Sequence, residues 1–193
     1  MSNVLLTNNG TLPAKEGIKV YVEGIAPEVA GEYADVTEDP SEADLIIFRT
    51  TSTPDRQGFF GPPPAPAPNA KNAPAPPDPF AATEVDINFP AEKLAHLKEL
   101  AAFGKPVVAD INPTGSSLII TEELKALPQA ILLSFDPTDA AVLDVIFGRH
   151  NPKSKLPFEI PSSMNAVRAQ LEDVPYDSPN PSFPFGYGLS YDL

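Results

Sequence analysis

Cysteine is absent from this 193-residue sequence, which excludes disulfides, zinc–thiolate sites and thiol nucleophiles. Its absence fits an oxidising or a reducing compartment equally well. Basic residues are scarce, because 13 Lys and Arg stand against 26 Asp and Glu, for a formal net charge of -13. An acidic surface argues against nucleic acid and anionic membranes as partners, since both need basic residues to displace counterions.

Long apolar runs are also missing. No stretch approaches the roughly 20 residues of a membrane span, and the first ten residues lack a basic region followed by an apolar one. We therefore expect the chain as written to be soluble. Histidine is limited to His96 and His150, which lie far apart without a nearby carboxylate cluster, so no metal site is predicted. His96 falls on the polar side of a predicted helix and is expected to face solvent. No P-loop or nucleophile elbow occurs, and we expect no cofactor.

Hydrophobic periodicity predicts alternating strands and helices. Alternating or continuous apolar runs predict strands at 19–25, 45–48, 107–111 and 130–135. Helices are predicted after Pro27, from Pro90 to Gly104, over 118–127, and from a cap at Asp136 or Thr138 to Gly148. This order predicts an α/β three-layer sandwich, a mostly parallel sheet with helices on both faces. The tail from Asn151 is expected to wrap over the domain.

A proline-rich segment interrupts this pattern. Residues 61–79 contain nine prolines in nineteen positions, interleaved with alanine and asparagine. Such a sequence cannot form helix or sheet, and we expect it to be polyproline-II-like or disordered. It lies in the loop after the 45–48 strand, at the edge where open α/β sheets usually bind ligands. A tolerated surface insertion, a substrate-covering loop and a partner-docking ligand all remain open as interpretations.

The same loop contains the carboxylates that are candidates for acid–base chemistry: Asp55, Asp78, Glu84 and Asp86. A carboxyl group that is partly removed from water has a raised pKa and can act as a general acid. An ordinary solvated loop charge is the alternative for each of them. The residues alone therefore do not decide whether any of these carboxylates takes part in acid–base chemistry.

Three segments resemble glycoside hydrolase family 3. Residues 144–161 are similar to a helix ending in "DVLFG" followed by "NPSGKLP", and residues 183–191 resemble the "FPFGYGLSY" ending of that family. Residues 5–13 are similar to its "LLKNDGLLPL" entry segment. The three segments span almost the whole chain in the family's order. The resemblance therefore implies that residues 1–193 form the C-terminal α/β-sandwich domain of a family 3 enzyme of the β-glucosidase type, with 61–79 as an insertion.

The resemblance also implies a retaining enzyme of two domains. In this family a barrel domain carries the aspartate nucleophile, and the sandwich domain in many members supplies the acid/base carboxylate from a loop. Retention needs the two carboxyl groups about 5–5.5 Å apart. Nothing in this chain resembles the nucleophile segment of the barrel. We therefore expect the chain to be inactive alone and to complete the site of a barrel domain, its main partner, acting on a β-linked glucoside or oligosaccharide.

The acid/base residue is not fixed by the resemblance. Glu84 stands where many relatives carry a glutamate, and residues 53–60 resemble an "EPR-GFF" segment of a bacterial subgroup with Asp55 in place of its glutamate. Glu84 and Asp55 are thus alternative acid/base candidates. Arg56 is a candidate for orienting a carboxylate or a sugar hydroxyl, with an ordinary surface arginine as the alternative.

Two further expectations concern partners. A stand-alone carbohydrate-binding or scaffold module without catalysis is the second hypothesis, and it is compatible with the proline-rich loop. A domain that docks on a barrel should expose an apolar face, which a homodimer would bury instead.

The aromatic side chains of the tail are expected in the core: Phe183, Phe185, Tyr187 and Tyr191. The parent enzyme is expected to be periplasmic or secreted.

Overall fold

A computed structural model describes residues 3–52, 86–113, 118–171 and 173–191. The strands are β1 (Asn3–Asn8), β2 (Lys19–Glu23), β3 (Asp35–Val36), β4 (Leu45–Thr51), β5 (Val107–Asn112) and β6 (Ala130–Ser134). The α-helices are α1 (Pro27–Ala30), α2 (Ala91–Ala101), α3 (Glu122–Ala126), α4 (Asp139–Ile146) and α5 (Met164–Arg168), and a 3-10 turn covers Pro40–Glu42.

The six described strands form one sheet in the order β1-β6-β5-β4-β2-β3. All neighbours are parallel except β1 and β6, which pair antiparallel. Alternate residues of β4 face opposite layers. Ile46 and Phe48 belong to the core shared with α2 and α3, while Leu45 and Ile47 belong to the core shared with α1 and α4. The predicted three-layer α/β sandwich is confirmed, because helices cover both faces of a mostly parallel sheet.

Local signals place most of these elements where the sequence predicts them. Helix α2 begins after Pro90 and is followed by Gly104, whose φ of +70° favours glycine. Helix α4 is capped by Thr138, whose hydroxyl accepts from the Ala141 amide at 3.3 Å. Asp136, the other proposed cap, is instead a turn residue with a φ of +48°.

The predicted helix over 118–127 is wrong in its first half. Leu118 and Ile120 are fully buried outside any helix, and α3 begins only at Glu122. The Thr121 hydroxyl accepts from the Leu124 amide at 3.2 Å and so fixes the helix start. The apolar run before Thr121 fills the core as extended chain, because its side chains pack there without helical periodicity.

The tail wraps over the domain as predicted. It contributes Leu156, Ile160 and Phe183 to one core and Tyr191 to the other. The Leu189 amide donates to the Leu5 carbonyl at 2.8 Å, so the tail covers the outer side of the edge strand β1. The predicted core position of Phe185 is wrong, because its side chain is 50% exposed. Strand β1 itself was not predicted from the apolar pattern.

Candidate functional site at the strand ends

A cleft of about 540 Å³ opens where strands β2, β4 and β5 end. We call it the edge cleft, lined by Gly24, Phe48, Arg49, Thr50, Thr51, Glu92, Lys93, His96 and Asn112. The carboxyl ends of neighbouring parallel strands meet at one edge of the sheet, which is where open α/β sheets usually bind ligands. The edge cleft therefore occupies the position in which this architecture concentrates function.

Gly24 makes the floor of the edge cleft possible. Its φ is +72°, and a Cβ atom at this position would lie 2.3 Å from the Arg49 carbonyl oxygen. Only glycine permits both the backbone conformation and this close approach. The turn after β2 therefore packs directly against β4.

Arg49 joins three elements beside the edge cleft. Its Nε lies 3.1 Å from Oδ2 of Asp110, and its Nη1 lies 2.6 Å from Oδ1 of Asp139. The second terminal nitrogen donates to the Pro137 carbonyl at 2.7 Å, and the Asp139 carboxylate also accepts from the Ala26 amide at 2.8 Å. One guanidinium thus holds β5, α4 and the loop before α4 against the end of β4.

Asp110 is the buried centre of this network. Its side chain is fully buried, and the Ser134 hydroxyl donates to its Oδ1. Burial raises the pKa of Asp110 to about 6, although Ser134 and Arg49 favour the charged form. A carboxyl group with such a pKa suits acid–base chemistry. Since Asp110 has no exposed surface, it does not reach substrate, and the network positions the floor of the edge cleft.

A second polar group lies across the edge cleft on α2. His96 Nε2 is 2.7 Å from Glu23 Oε2, and the Tyr21 hydroxyl donates to the other oxygen of Glu23 at 2.7 Å. The hydrogen bond to Glu23 raises the pKa of His96, and burial opposes it. Bonding to the same carboxylate raises the pKa of Tyr21 to about 12. The prediction that His96 faces solvent agrees with its 42% exposed side chain, but the pairing with Glu23 was not predicted.

Lys93 brings a cation to the rim. Its side chain is 9% exposed, and its ammonium donates to the Thr51 hydroxyl at 2.7 Å. Glu92 precedes it on the first turn of α2, and both line the edge cleft. The rim therefore combines a carboxylate, an ammonium and hydroxyl groups, which are the groups that bind sugar hydroxyls by hydrogen bonds.

A second opening lies within the tail, where Ile87 joins residues of the tail itself. This tail cleft has a volume of about 530 Å³ and is lined by Ile87, Phe158, Glu159, Pro161, Val167, Gln170, Leu171, Val174, Pro175, Tyr176 and Asp177. Tyr176 stacks on Phe185 at a ring-centroid distance of 4.2 Å, and both rings are about half exposed. The lining of the tail cleft thus combines apolar side chains with the ring of Tyr176 and the carboxylates of Glu159 and Asp177.

The comparison with family models decides the classification. Residues 3–191 match the model described as the glycosyl hydrolase family 3 C-terminal domain. The chain is a family 3 C-terminal domain.

Curated relatives of this family 3 domain are much longer than the chain. β-Glucosidase C of Emericella nidulans is 35% identical over 203 aligned residues, which cover 99% of this chain and 28% of the relative. The periplasmic β-glucosidase/β-xylosidase of Dickeya chrysanthemi is 32% identical over 98% of this chain and 27% of its own length. The family 3 domain therefore spans a little over a quarter of the relatives that it matches.

A solved structure shows the same fold. The β-glucosidase of Listeria innocua, solved in complex with isofagomine, matches 98% of the family 3 domain and 32% of that chain, with a TM-score of 0.67 and 18% identity. This likeness agrees with the α/β sandwich described above. Among the helices within the described ranges, none has the length and apolar character needed to cross a membrane.

The three predicted site residues of the family 3 domain, Asp55, Arg56 and Glu84, lie outside the described residues. The described chain stops at Ser52, whose amide donates to the Asn112 carbonyl at 2.8 Å beside the edge cleft. It resumes at Asp86, and Ile87 accepts from the Ile119 amide at 2.9 Å. The last described residue before these candidates, Ser52, is thus held next to the edge cleft.

Sequence reasoning missed the polar residues of the edge cleft itself, namely Arg49, Lys93, Asn112 and Asp110 beneath them. A signal was present for two of them. Arg49 follows an apolar run, and Asp110 interrupts another, although charged residues in central strands are rare unless they are paired. In the residues that the structure describes, no group of three or more His, Cys, Asp or Glu side chains is arranged to hold a metal ion.

Proposed function

We propose that this domain completes the active site of a retaining, exo-acting β-glucosidase-type enzyme and is inactive alone. The observation that carries the proposal is coverage: almost the whole chain matches relatives named as β-glucosidases, yet it accounts for only 27–28% of their length. The remaining part would supply the barrel with the nucleophile. The substrate would be a β-linked glucoside or oligosaccharide.

The number of carboxylates that line the edge cleft supports the proposal that the active site is incomplete in this domain. A retaining mechanism requires two carboxyl groups about 5–5.5 Å apart. Among the described lining residues, Glu92 is the single carboxylate, and Asp110 is sealed beneath the floor. A complete pair would therefore need a carboxylate from the 53–85 loop together with one from another domain.

Glu84 and Asp55 are the proposed alternatives for the acid/base. The acid/base would protonate the leaving glycosidic oxygen and then deprotonate the water that releases the sugar. Asp55 is three residues beyond Ser52 along the chain, and Ser52 is anchored beside the edge cleft. Arg56, next to Asp55, would orient a carboxylate or a sugar hydroxyl through its planar donor groups.

A chimaera tests the proposal. The matched segment of the Dickeya chrysanthemi relative is replaced by residues 1–193, and hydrolysis of an aryl β-glucoside is compared with that by the isolated chain. We expect activity in the chimaera alone. Glu84→Gln and Asp55→Asn are then introduced separately, with the exposed Glu38→Gln as the control.

The acid/base residue has a distinctive signature in this test. Its removal should lower kcat/KM by about 10²–10⁴-fold on poor leaving groups and much less on activated ones. Added azide should restore turnover of the activated substrate, because azide attacks the glycosyl-enzyme without a general base. Hydrolysis by the isolated chain, or full activity in both variants, would refute the proposal.

A non-catalytic carbohydrate-binding or scaffold module is the second candidate. It is favoured by the edge cleft, whose described rim offers sugar-binding polar groups around a single carboxylate. An inactive chimaera whose isolated domain still binds cellobiose in calorimetry would select this function. The parent enzyme would be exported in either case, as the name of the periplasmic Dickeya chrysanthemi relative suggests.

Self-association of the domain as a homodimer remains a prediction. The structure contains one chain, and the exposed large apolar side chains in the described ranges are Val36, Phe103, Leu171, Val174, Tyr176 and Phe185. Sedimentation of the isolated chain at several concentrations would measure self-association directly.

A further inference from the structure

Two half-exposed aromatic rings lie side by side at the tail cleft. Tyr176 lines the cleft and stacks on Phe185 with the ring centroids 4.2 Å apart, and the two side chains are 54% and 50% exposed. Leu171 and Val174 line the same cleft and are also exposed. Four of the six exposed large apolar side chains within the described residues thus meet at one place. A clustered apolar surface of this kind is typical of a binding site.

The backbone holds Tyr176 in an unfavourable conformation. Its φ is +60°, which is rare for a bulky side chain. Asp177 Oδ2 accepts from the Leu171 amide at 2.8 Å and so joins the two ends of the segment that contains Tyr176. Residues held in such conformations are concentrated at ligand-binding and active sites, where the surrounding structure fixes a side chain in place.

Polar groups of the tail cleft both accept and donate hydrogen bonds. Glu159 Oε2 accepts from the Ser178 amide at 3.0 Å, and Asp177 is held by the Leu171 amide in the same way. Each carboxylate is fixed through one oxygen, and the other oxygen accepts no hydrogen bond from the described residues. Gln170 adds a side-chain amide to the lining, which donates through its nitrogen and accepts through its oxygen.

A β-linked gluco-oligosaccharide has the chemistry that matches this lining. The hydroxyl groups of a β-glucose ring are all equatorial, so its two faces carry C–H groups that stack on aromatic rings. The hydroxyl groups around its rim both donate and accept hydrogen bonds. A cationic ligand would only donate, and would leave the amide nitrogen of Gln170 without an acceptor. The cleft volume of about 530 Å³ also lies within the range of about 300–1,000 Å³ for small-molecule sites.

We propose that the tail cleft is a binding site for β-linked gluco-oligosaccharides. The sugar rings stack on Tyr176 and Phe185. Their hydroxyl groups bond to Glu159, Gln170 and Asp177. The tail cleft shares no lining residue with the edge cleft. The class of sugar rests on the proposed function, whereas binding itself needs neither catalysis nor a barrel.

Calorimetric titration of the 193-residue chain with cellotetraose measures this binding. Tyr176→Asn removes the ring, and Asn tolerates the positive φ at this position, so the variant should fold. We expect saturable binding to the natural chain and about tenfold weaker binding to Tyr176→Asn. Phe103→Ser removes a similarly exposed ring that does not line the cleft, and it should bind cellotetraose like the natural chain.

Backbone amide chemical shifts locate the bound sugar on the natural sequence. Cellotetraose should shift the amides of Leu171, Asp177 and Phe185 at the tail cleft. The amides of Gly24 and Thr50 at the edge cleft are the internal reference. Shifts confined to the edge cleft would overturn the proposal.

Three results of the titrations would also overturn it. Cellotetraose could fail to saturate the natural chain, or it could bind Tyr176→Asn as tightly as the natural chain. The tripeptide Gly-Lys-Gly could shift the tail-cleft amides where cellotetraose does not, which would assign the cleft to a positively charged partner. Because none of these measurements involves hydrolysis by the chimaera, failure of this site and failure of the proposed catalytic role are distinguished.

Discussion

Arg49 and Asp110 lie directly opposite each other on neighbouring parallel strands, with the guanidinium Nε 3.1 Å from the Asp110 carboxylate. The pair is almost inaccessible to water, since Asp110 is fully buried and the Arg49 side chain is 14% exposed. Desolvation of two charges is expensive, and their mutual attraction and hydrogen bonds offset it. Removal of Arg49 therefore leaves Asp110 as a buried charge without its cation, whereas Arg49 would keep its contact with Asp139 if Asp110 were removed.

Arg49→Met should destabilise the domain strongly. The variant leaves the Asp110 carboxylate buried without its cation and also removes the contact with Asp139. We expect the free energy of unfolding at pH 7 to fall by about 3–5 kcal/mol. Urea unfolding followed by circular dichroism measures the change.

Lys19→Met is the matched control for that variant. Lys19 pairs with Glu42 at 3.2 Å, but the two side chains are 46% and 60% exposed. A solvent-exposed pair contributes about 0–1 kcal/mol. Equal losses in the Arg49 and Lys19 variants would show that the buried network does not hold the strand ends together.

Asp110→Asn should alter the pH dependence of stability. Burial raises the pKa of Asp110 from 3.8 to about 6, so the native state holds a proton that the unfolded state has released between these values. The stabilising effect of that proton is complete below about pH 4 and is lost as the pH rises through about 6. The change amounts to on the order of 3 kcal/mol.

Urea unfolding between pH 4 and 7 tests this sign. As the pH rises across this window, the free energy of unfolding of the natural chain should fall relative to that of Asp110→Asn. Above the window, the difference between the two should be constant. Parallel curves for the two proteins would mean that Asp110 is ionised in the folded state throughout.

Gly24→Ala should be much more harmful than an ordinary glycine substitution. The new methyl group would lie 2.3 Å from the Arg49 carbonyl oxygen at a φ of +72°. Strain in the backbone and overpacking together should cost about 3 kcal/mol or more. Gly10→Ala has a similarly positive φ with open space around the added carbon, so its cost should be about 1–2 kcal/mol. Thermal unfolding of both variants separates the steric contribution from the backbone contribution.

Glu23→Gln should lower the pKa of His96. The hydrogen bond to Glu23 is the main cause that raises this pKa, so the stabilisation is fully present below about pH 6.5 and is lost as the pH rises through the folded-state value. Titration of the His96 ring by NMR measures the effect in the natural chain and the variant. Tyr21→Phe keeps the Glu23 carboxylate and is the control. An unchanged His96 titration in Glu23→Gln would contradict the pairing seen in the structure.

Periodicity was sufficient to predict the central strands. The buried run from Leu45 and the strand from Val107 pair in the middle of the sheet, where both faces are covered and the pattern is least ambiguous. Strand β1 was harder, because Val4, Leu5 and Leu6 form a short run between asparagines. Its antiparallel pairing with β6 joins residues more than 120 positions apart, which no local pattern encodes.

The strand order was sufficient to predict where the edge cleft lies, but not which residues line it. Asp139 is 90 residues from Arg49, and His96 is 73 residues from Glu23. These contacts depend on how strands and helices are brought together, so their residues look like ordinary charges in the sequence. The family resemblance supplied the candidate acid/base residues, and those residues lie outside the described ranges.

The contact between Leu5 and Leu189 has a consequence for modular architecture. Because the first strand and the last turn of the fold are hydrogen-bonded neighbours, a longer polypeptide would enter and leave this domain at almost the same point. Such a layout allows the domain to be fused or inserted without reshaping its sheet. It also makes the domain suitable for circular permutation, in which a short linker joins the two ends and new termini are opened elsewhere on the surface.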